Sequence, residues 1–258
     1  MILDLVPADD RGLMLGDGLF ETILAVDGEM VRFEAHLARL RRGCAAIGIA
    51  PPDAAAVGAA AAAALKSARA REGRAVVRLT LTAGSGRGLD RTFPTEGRLL
   101  ATASAAPGIP GPARLATAAI RRNETSPAAR IKSLSYIDNV LARRQARDAG
   151  AEEALMLNGR GEIACAAAAN LFWVKEGKLF TPALGCGVLE GILRGVVIEA
   201  AASLGVQAIE TAAGPEALEE VEGLFLTNSL VGVRAVGALD GRSLPTCRLA
   251  DELSSRCR

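Results

Sequence analysis

The sequence predicts an α+β (mixed α/β) protein organised as two subdomains, and three observations lead there. Strand-like runs alternate with helix-periodic segments, without the regular strand–helix–strand beat of a wound parallel sheet. The stretch Ala105-Ala106-Pro107-Gly108-Ile109-Pro110-Gly111-Pro112 is dense in proline and glycine and reads as a linker. A chain of 258 residues, half of them hydrophobic, suffices for two modest cores. The expected boundaries are 1–106 for an N-terminal α/β subdomain, 107–113 for the linker and 114–258 for the C-terminal subdomain.

In chain order, Leu19 to Val26 reads as a strand, Asp27-Gly28 as a hairpin turn and Met30 to Phe33 as the return. Leu37, Leu40, Cys44 and Ile47 recur at helical spacing and predict a helix over 34–47. Asp53 caps an alanine-rich helix expected to run to about Arg71. Val76–Thr82 and Leu99–Ser104 alternate as strands around a glycine-rich loop, Ala83 to Arg91. Beyond the linker come a strand (Arg114–Ile120), a helix (Asp138–Ala149), a ladder of strands through Phe180 and a helix from Gly191 to Leu204. Strands near Gln207–Thr211, Leu224–Thr227 and Val233–Val236, then a short helix, end the chain.

Composition narrows the function. The net charge is +1, which gives no support for nucleic acid or an anionic membrane as partner. Ala54 to Leu65, a run of 12, is well short of the roughly 20 residues that span a bilayer. The opening MILDLVPADDRG has no basic stretch followed by an apolar one, so a soluble cytoplasmic protein is expected. Five cysteines without a CxxC pair fit reduced thiols, and one histidine argues against zinc.

Lysine is scarce: Lys66, Lys132, Lys175 and Lys178 are the only four. Lys66 lies in a helix beside Arg69 and Arg71 and reads as a solvated group, and Lys175 and Lys178 bracket a hairpin tip. Lys132 stands in Arg130-Ile131-Lys132-Ser133-Leu134-Ser135-Tyr136, ahead of a helix. An amine against an apolar wall can lose its proton and serve Schiff-base chemistry, or be an ordinary surface group. Glu190-Gly191-Ile192-Leu193 opens a helix and Thr227-Asn228-Ser229-Leu230 follows a strand; either could offer N–H groups to a phosphate, and most such turns bind nothing. The loop Ala83-Gly84-Ser85-Gly86-Arg87-Gly88 lacks the Lys-Ser/Thr of a P-loop and reads as a hairpin. His36 and Arg39 share a helix face, where the histidine reads as packing and Arg39 as a phosphate or carboxylate contact.

Together these stretches resemble the class IV aminotransferase family, the fold type IV enzymes that use pyridoxal 5'-phosphate. The resemblance runs through DRGLMLGDGLFETI, HLARL, RLTLTAGSGRGL, KSLSYIDN, EEALMLNGRGEI, ANLFWV, GVLEGILRG and LTNSLVGVRAV, in order, over nearly the whole chain. The short length and the GDGLFET and SGRG segments place it nearest the aminodeoxychorismate lyase branch. The resemblance implies that Lys132 bonds to the cofactor and shuttles protons, that Arg39 holds its phosphate, and that Tyr136 partners its phenolic oxygen. It implies backbone phosphate contacts from Ile192 and Leu193, with Leu193 where relatives often have threonine, and a second phosphate loop at Ser229 and Leu230. It further implies that Phe20 lines the substrate pocket, that Arg87 meets a substrate carboxylate, that the C-terminal subdomain binds the cofactor and that the enzyme is a homodimer.

One position departs from the family. Relatives carry a glutamate five residues before the asparagine of ANLF, and it pairs with the pyridine nitrogen. Here that residue is Cys165, 33 residues after Lys132, and Ala167 replaces a neighbouring threonine. Using Glu162 instead would require a shift of three residues or a bulge. A neutral thiol supplies no negative charge to the ring nitrogen, which favours elimination over transamination. The resemblance therefore implies a 4-amino-4-deoxychorismate lyase, with a transaminase of a D- or branched-chain amino acid or small amine as the alternative. A non-catalytic cofactor-binding paralogue is the third.

Overall fold

The computed structural model describes residues 6–91 and 95–257, in two compact units. The first holds residues up to Gly108 together with Ile131–Ser135; the second holds Ile109–Arg130 and Tyr136 onward.

In the first unit, Asp10 caps α1 (Arg11–Leu15), its Oδ1 accepting from the N–H of Gly12 at 2.9 Å. Strand β1 (Gly18–Val26) turns through Asp27-Gly28 into β2 (Glu29–Met30). Both turn residues are left-handed (φ 49° and 86°), as a two-residue hairpin turn needs. The return is only two residues long because Arg32 is also left-handed (φ 56°) and redirects the chain into α2 (Phe33–Ile47). Next come α3 (Ala54–Ser67), capped by Asp53, then β3 (Arg74–Thr82) and β4 (Arg98–Ala105). Helix α3 stops at Ser67, short of the expected Arg71, and Arg69 turns left-handed (φ 53°). The sheet is antiparallel throughout, in the order β2-β1-β3-β4. Leu19, Ile23 and Ala25 of β1 bury one face under α2 and α3.

Ile131–Ser135 returns to this unit although composition placed it beyond the linker. Short β2 reaches only the far end of β1, so the edge at Gly18–Phe20 remains available to it. The Phe20 N–H donates to the Lys132 carbonyl at 2.9 Å, and the Leu134 N–H to the Gly18 carbonyl at 3.0 Å.

The second unit comprises β5 (Ala113–Thr117), α4 (Pro127–Arg130), α5 (Ile137–Asp148), β6 (Glu153–Leu157), β7 (Ile163–Ala166), β8 (Asn170–Lys175) and β9 (Lys178–Pro182). It continues with α6 (Ile192–Ser203), β10 (Ala208–Thr211), β11 (Gly223–Asn228), β12 (Gly232–Leu239), β13 (Arg242–Ser243) and α7 (Arg248–Arg256). Its mixed sheet runs β10-β9-β8-β11-β12-β5-β6-β7, with β13 beside β12. Strands β8 and β11 are buried on both faces, which explains their near-continuous apolar sequences. Leu171, Trp173, Leu224 and Leu226 pack on one face; Phe172 and Phe225 stack on the other at 5.1 Å, over α6 and α7. In β7 the pairing steps from Met156–Cys165 to Leu157–Ile163, so Ala164 is the extra residue of a β-bulge.

Removing one ring of the stacked pair tests this packing. Phe225→Ala should lower stability by about 3–5 kcal/mol, read by chemical denaturation.

Candidate active site

The expected site residues fall into two groups, one in each unit. In the first, alternation along β1 puts Phe20 and Glu21 on opposite faces. Phe20 is buried, and Lys132 Nζ lies 4.1 Å from its ring centroid. Lys132 is half-buried, whereas Lys66 and Lys178 are exposed and Lys175 reaches the Glu219 carbonyl at 3.4 Å. A second cation, Arg78 of β3, also rests on Phe20, with Cζ 3.9 Å from the centroid. Arg78 was not singled out from sequence; its strand position, on the face of Phe20, was the available signal.

On the other face, Glu21 is buried and accepts from Arg39 Nε at 2.8 Å and Nη2 at 2.6 Å, and from His36 Nδ1 at 2.7 Å. Burial alone would raise the Glu21 carboxyl, but the hydrogen bonds from Arg39 and His36 outweigh it and hold its pKa below the usual carboxylate range. Burial pushes His36 down, with Arg39 and Lys132 adding to the effect, so the ring is neutral and its Nδ1–H donates to Glu21. Arg39 is thereby fixed by a bidentate pair, with Nη1 outside it. The expectation that His36 is a packing group is refined: it orients the carboxylate that orients Arg39. Arg87, by contrast, is exposed on the loop after β3 and makes no hydrogen bond or ion pair among the described residues.

In the second unit, α6 begins at Gly191, with no side chain capping its first turn, at Ile192 and Leu193. Any side chain at Gly191 would collide with Asn170 Oδ1, so the backbone there approaches closely. Asn170 is held by its Nδ2 bond to the Leu189 carbonyl at 2.9 Å. Asn170 and Thr227 are register partners on the sheet face that carries Phe172 and Phe225, and the buried Thr227 hydroxyl has no hydrogen-bond partner. After β11, Asn228 Oδ1 accepts from the N–H groups of Leu230 (3.0 Å) and Val231 (2.9 Å). The Leu230 N–H is therefore already engaged, while Ser229 is half-buried in the same turn. Tyr136 is half-buried and immediately precedes α5.

Cys165 is buried among Ala154, Met156, Ala164 and Ala167. Burial raises its thiol pKa despite nearby Arg122, so it is neutral. Arg122 is itself buried, and its hydrogen bonds go to neutral oxygens: Nε to the Gly187 carbonyl (3.0 Å), Nη1 to Asn139 Oδ1 (2.9 Å) and Nη2 to the Ala129 carbonyl (2.6 Å). Asn139 and Asn228 tie down the carbonyls of Ala167 (2.8 Å) and Ala168 (3.3 Å). Glu162, the other carboxylate considered for that role, is engaged elsewhere. It is bound by Arg160 at 2.7 Å and Asn158 at 2.7 Å, and these bonds pull its pKa to about 2.

The sequence profile of the family described as "Amino-transferase class IV" matches residues 18–239. The chain belongs to the class IV aminotransferase family. A Methanocaldococcus jannaschii protein named "Putative branched-chain-amino-acid aminotransferase" is 33% identical over 90% of this chain and 82% of its own length. The aminodeoxychorismate lyase of Bacillus subtilis is 28% identical over 87% of this chain and 78% of its own. A Legionella pneumophila structure described as a "Putative 4-amino-4-deoxychorismate lyase" superposes with a TM-score of 0.90 at 25% identity, covering 98% of this chain and 94% of that one. Class IV aminotransferases and their lyase relatives are pyridoxal phosphate-dependent enzymes acting on small molecules, and this chain is one of them. The donors present suit that cofactor: an amine against an aromatic ring, an oriented guanidinium, an uncapped helix start and an orphaned hydroxyl.

The buried triad predicts a pH dependence. Both groups have lower pKa values folded than unfolded, so their contribution is complete above the unfolded values of 6.5 and 4.5 and is lost as pH falls. Melting temperature measured from about pH 8 to about pH 4 should decline first as His36 resists protonation, then more steeply as Glu21 does. His36→Gln should remove the first phase, and an unchanged profile would contradict the assignment. Glu21→Gln should lower stability by about 3–5 kcal/mol by stranding Arg39.

Proposed function

We propose that this enzyme is a 4-amino-4-deoxychorismate lyase, releasing pyruvate and leaving 4-aminobenzoate, a folate precursor, in the cytoplasm. The observation that carries this reading is Cys165, a buried neutral thiol where a carboxylate is expected, with Glu162 committed to Arg160 and Asn158. Pyridoxal phosphate, when bound, supplies the electron sink for carbanion chemistry. Lys132 would hold it covalently and, once released, move the proton at the substrate Cα. Arg39, the N–H groups of Ile192 and Leu193, and Ser229, in the turn that the Leu230 N–H bond to Asn228 fixes, would hold its phosphate. Tyr136 would orient the ring, and Cys165 would meet the ring nitrogen without supplying charge. A weakened sink suits a reaction in which a leaving group carries the electron pair away. Transamination, which must pass the electrons through the sink to a new proton position, suits it less. Phe20 would line the substrate side, with Arg78 and Arg87 as carboxylate contacts. The second reading, transamination of a branched-chain or D-amino acid, is favoured by the Methanocaldococcus relative's name.

Product analysis tests the choice. Wild type should release pyruvate with 4-aminobenzoate, and Cys165→Glu should raise the ratio of transamination to elimination by about tenfold or more. Equal transamination by the two would overturn the lyase reading. Separately, purified protein titrated with pyridoxal phosphate should gain a visible absorbance band that Lys132→Ala lacks.

A further inference from the structure

Two cations share the Phe20 ring, one from each flank of β1. Arg78 arrives from β3. Phe20 pairs with Thr80, so Arg78, two residues away, is its diagonal neighbour on the same face, with Cζ 3.9 Å from the ring centroid. Lys132 arrives from the opposite edge, where its carbonyl accepts from the Phe20 N–H, and its Nζ lies 4.1 Å from the same centroid. Both approaches have cation–π length, and the ring favours each charge taken singly. Together the two charges stand within one Debye length, about 10 Å at 0.1 M salt, and repel each other. A guanidinium keeps its proton at any working pH, whereas an ammonium can release one. The repulsion is therefore relieved at Lys132.

The rest of the sheet face adds to the imbalance. Alternation in register puts Arg74 and Arg78 of β3 and Arg98 of β4 on the Phe20 side, and no carboxylate from β1, β3 or β4. Arg98 pairs with Asp10 at 3.2 Å. Glu29 of β2 shares that side but lies beside Val26, at the far end of β1. From α2, His36 is near enough to feel the Lys132 charge, but its ring is neutral. Arg39 is matched by Glu21 on the other side of β1. Arg78 is thus a fixed charge that shares one contact surface with the amine.

We propose that Arg78 lowers the proton affinity of Lys132, so that a larger share of the amine is neutral and nucleophilic near neutral pH. Arg78 acts here through Lys132 and not on the reacting atoms. The purpose of this tuning rests on Lys132 being the residue that bonds to the cofactor; its test does not. Trace labelling of the full chain with acetic anhydride, from about pH 6 to about pH 11 and read peptide by peptide by mass spectrometry, gives a titration midpoint for each lysine. Lys66 and Lys178, both exposed, are internal standards whose midpoints should stay fixed. Arg78→Gln should raise the Lys132 midpoint by about 0.5–1 pH unit and Arg78→Glu by more, while Arg78→Lys should leave it nearly in place. Arg78 is exposed, so these replacements leave the core untouched, and about 1 M salt should shrink the gap between wild type and Arg78→Gln. A purely structural role would not order the variants by charge. A Lys132 midpoint that ignores the charge at position 78, or that Arg78→Lys moves as far as Arg78→Gln does, would overturn the proposal. The labelling needs no cofactor, so the two ideas fail separately. A charge-ordered midpoint in a protein that gains no visible band with pyridoxal phosphate upholds the tuning and ends the cofactor-bonding reading of Lys132. A band with an unmoved midpoint does the reverse.

Discussion

Two backbone hydrogen bonds, Phe20 N–H to the Lys132 carbonyl and Leu134 N–H to the Gly18 carbonyl, set the geometry around Lys132 within the first unit. They place Lys132 on the Phe20 side of β1 and Ser133, bridged to Leu19, on the helix side. A slip of one residue would exchange them, because side chains alternate with a period of two. The same strand register turns Glu21 under α2, where it meets Arg39 and His36. One strand thus distributes an aromatic wall for the lysine and a carboxylate clamp for the arginine on successive residues. The shortness of β2 is part of this arrangement, since a longer return strand would occupy the edge that the lysine segment uses.

The two units handle buried arginine differently, and the difference bears on chemistry. Arg39 is neutralised by Glu21, so that pair carries little net charge, and neutral His36 keeps it so. Arg122 is held by three neutral oxygens. Among the described titratable groups close enough to influence Cys165, Arg122 favours its ionisation, but burial prevails. Glu153 also lies near: burial raises its own carboxyl pKa, and its charge adds to burial in raising that of Cys165. Burial and Glu153 together keep the Cys165 thiol neutral against the pull of Arg122.

Much of this was legible in the sequence because it rests on local signals. The Asp27-Gly28 turn, the capping Asp53, the apolar runs of β8 and β11 and the helix after Tyr136 all follow from short-range pattern. What was not legible depends on long-range pairing. Nothing in RIKSLSY indicates that the segment crosses back to β1, because its partner strand is more than a hundred residues earlier. The bulge at Ala164 hides in a run of alanines, where no change of periodicity can report an extra residue. Ser229 and Leu230 were expected as a phosphate loop; what sequence did not show is that the Asn228 side chain accepts from the Leu230 N–H there, an Asx-type contact. Arg78 escaped notice because a strand arginine facing outward looks like solvated surface until the Phe20 ring is placed beside it.

Helix α5 shows how far periodicity reaches. Small residues with Asn139 line one face of α5 and larger aliphatics another, and pattern alone cannot say which one is the core. Packing decides it: alanines and Asn139 permit close approach to β6, and Asn139 is tied both to Arg122 and to the Ala167 carbonyl. The aliphatic face is left outward as a consequence of that polar anchorage. Asn139, seven residues after Lys132, fixes the inner face against the loop that follows Cys165.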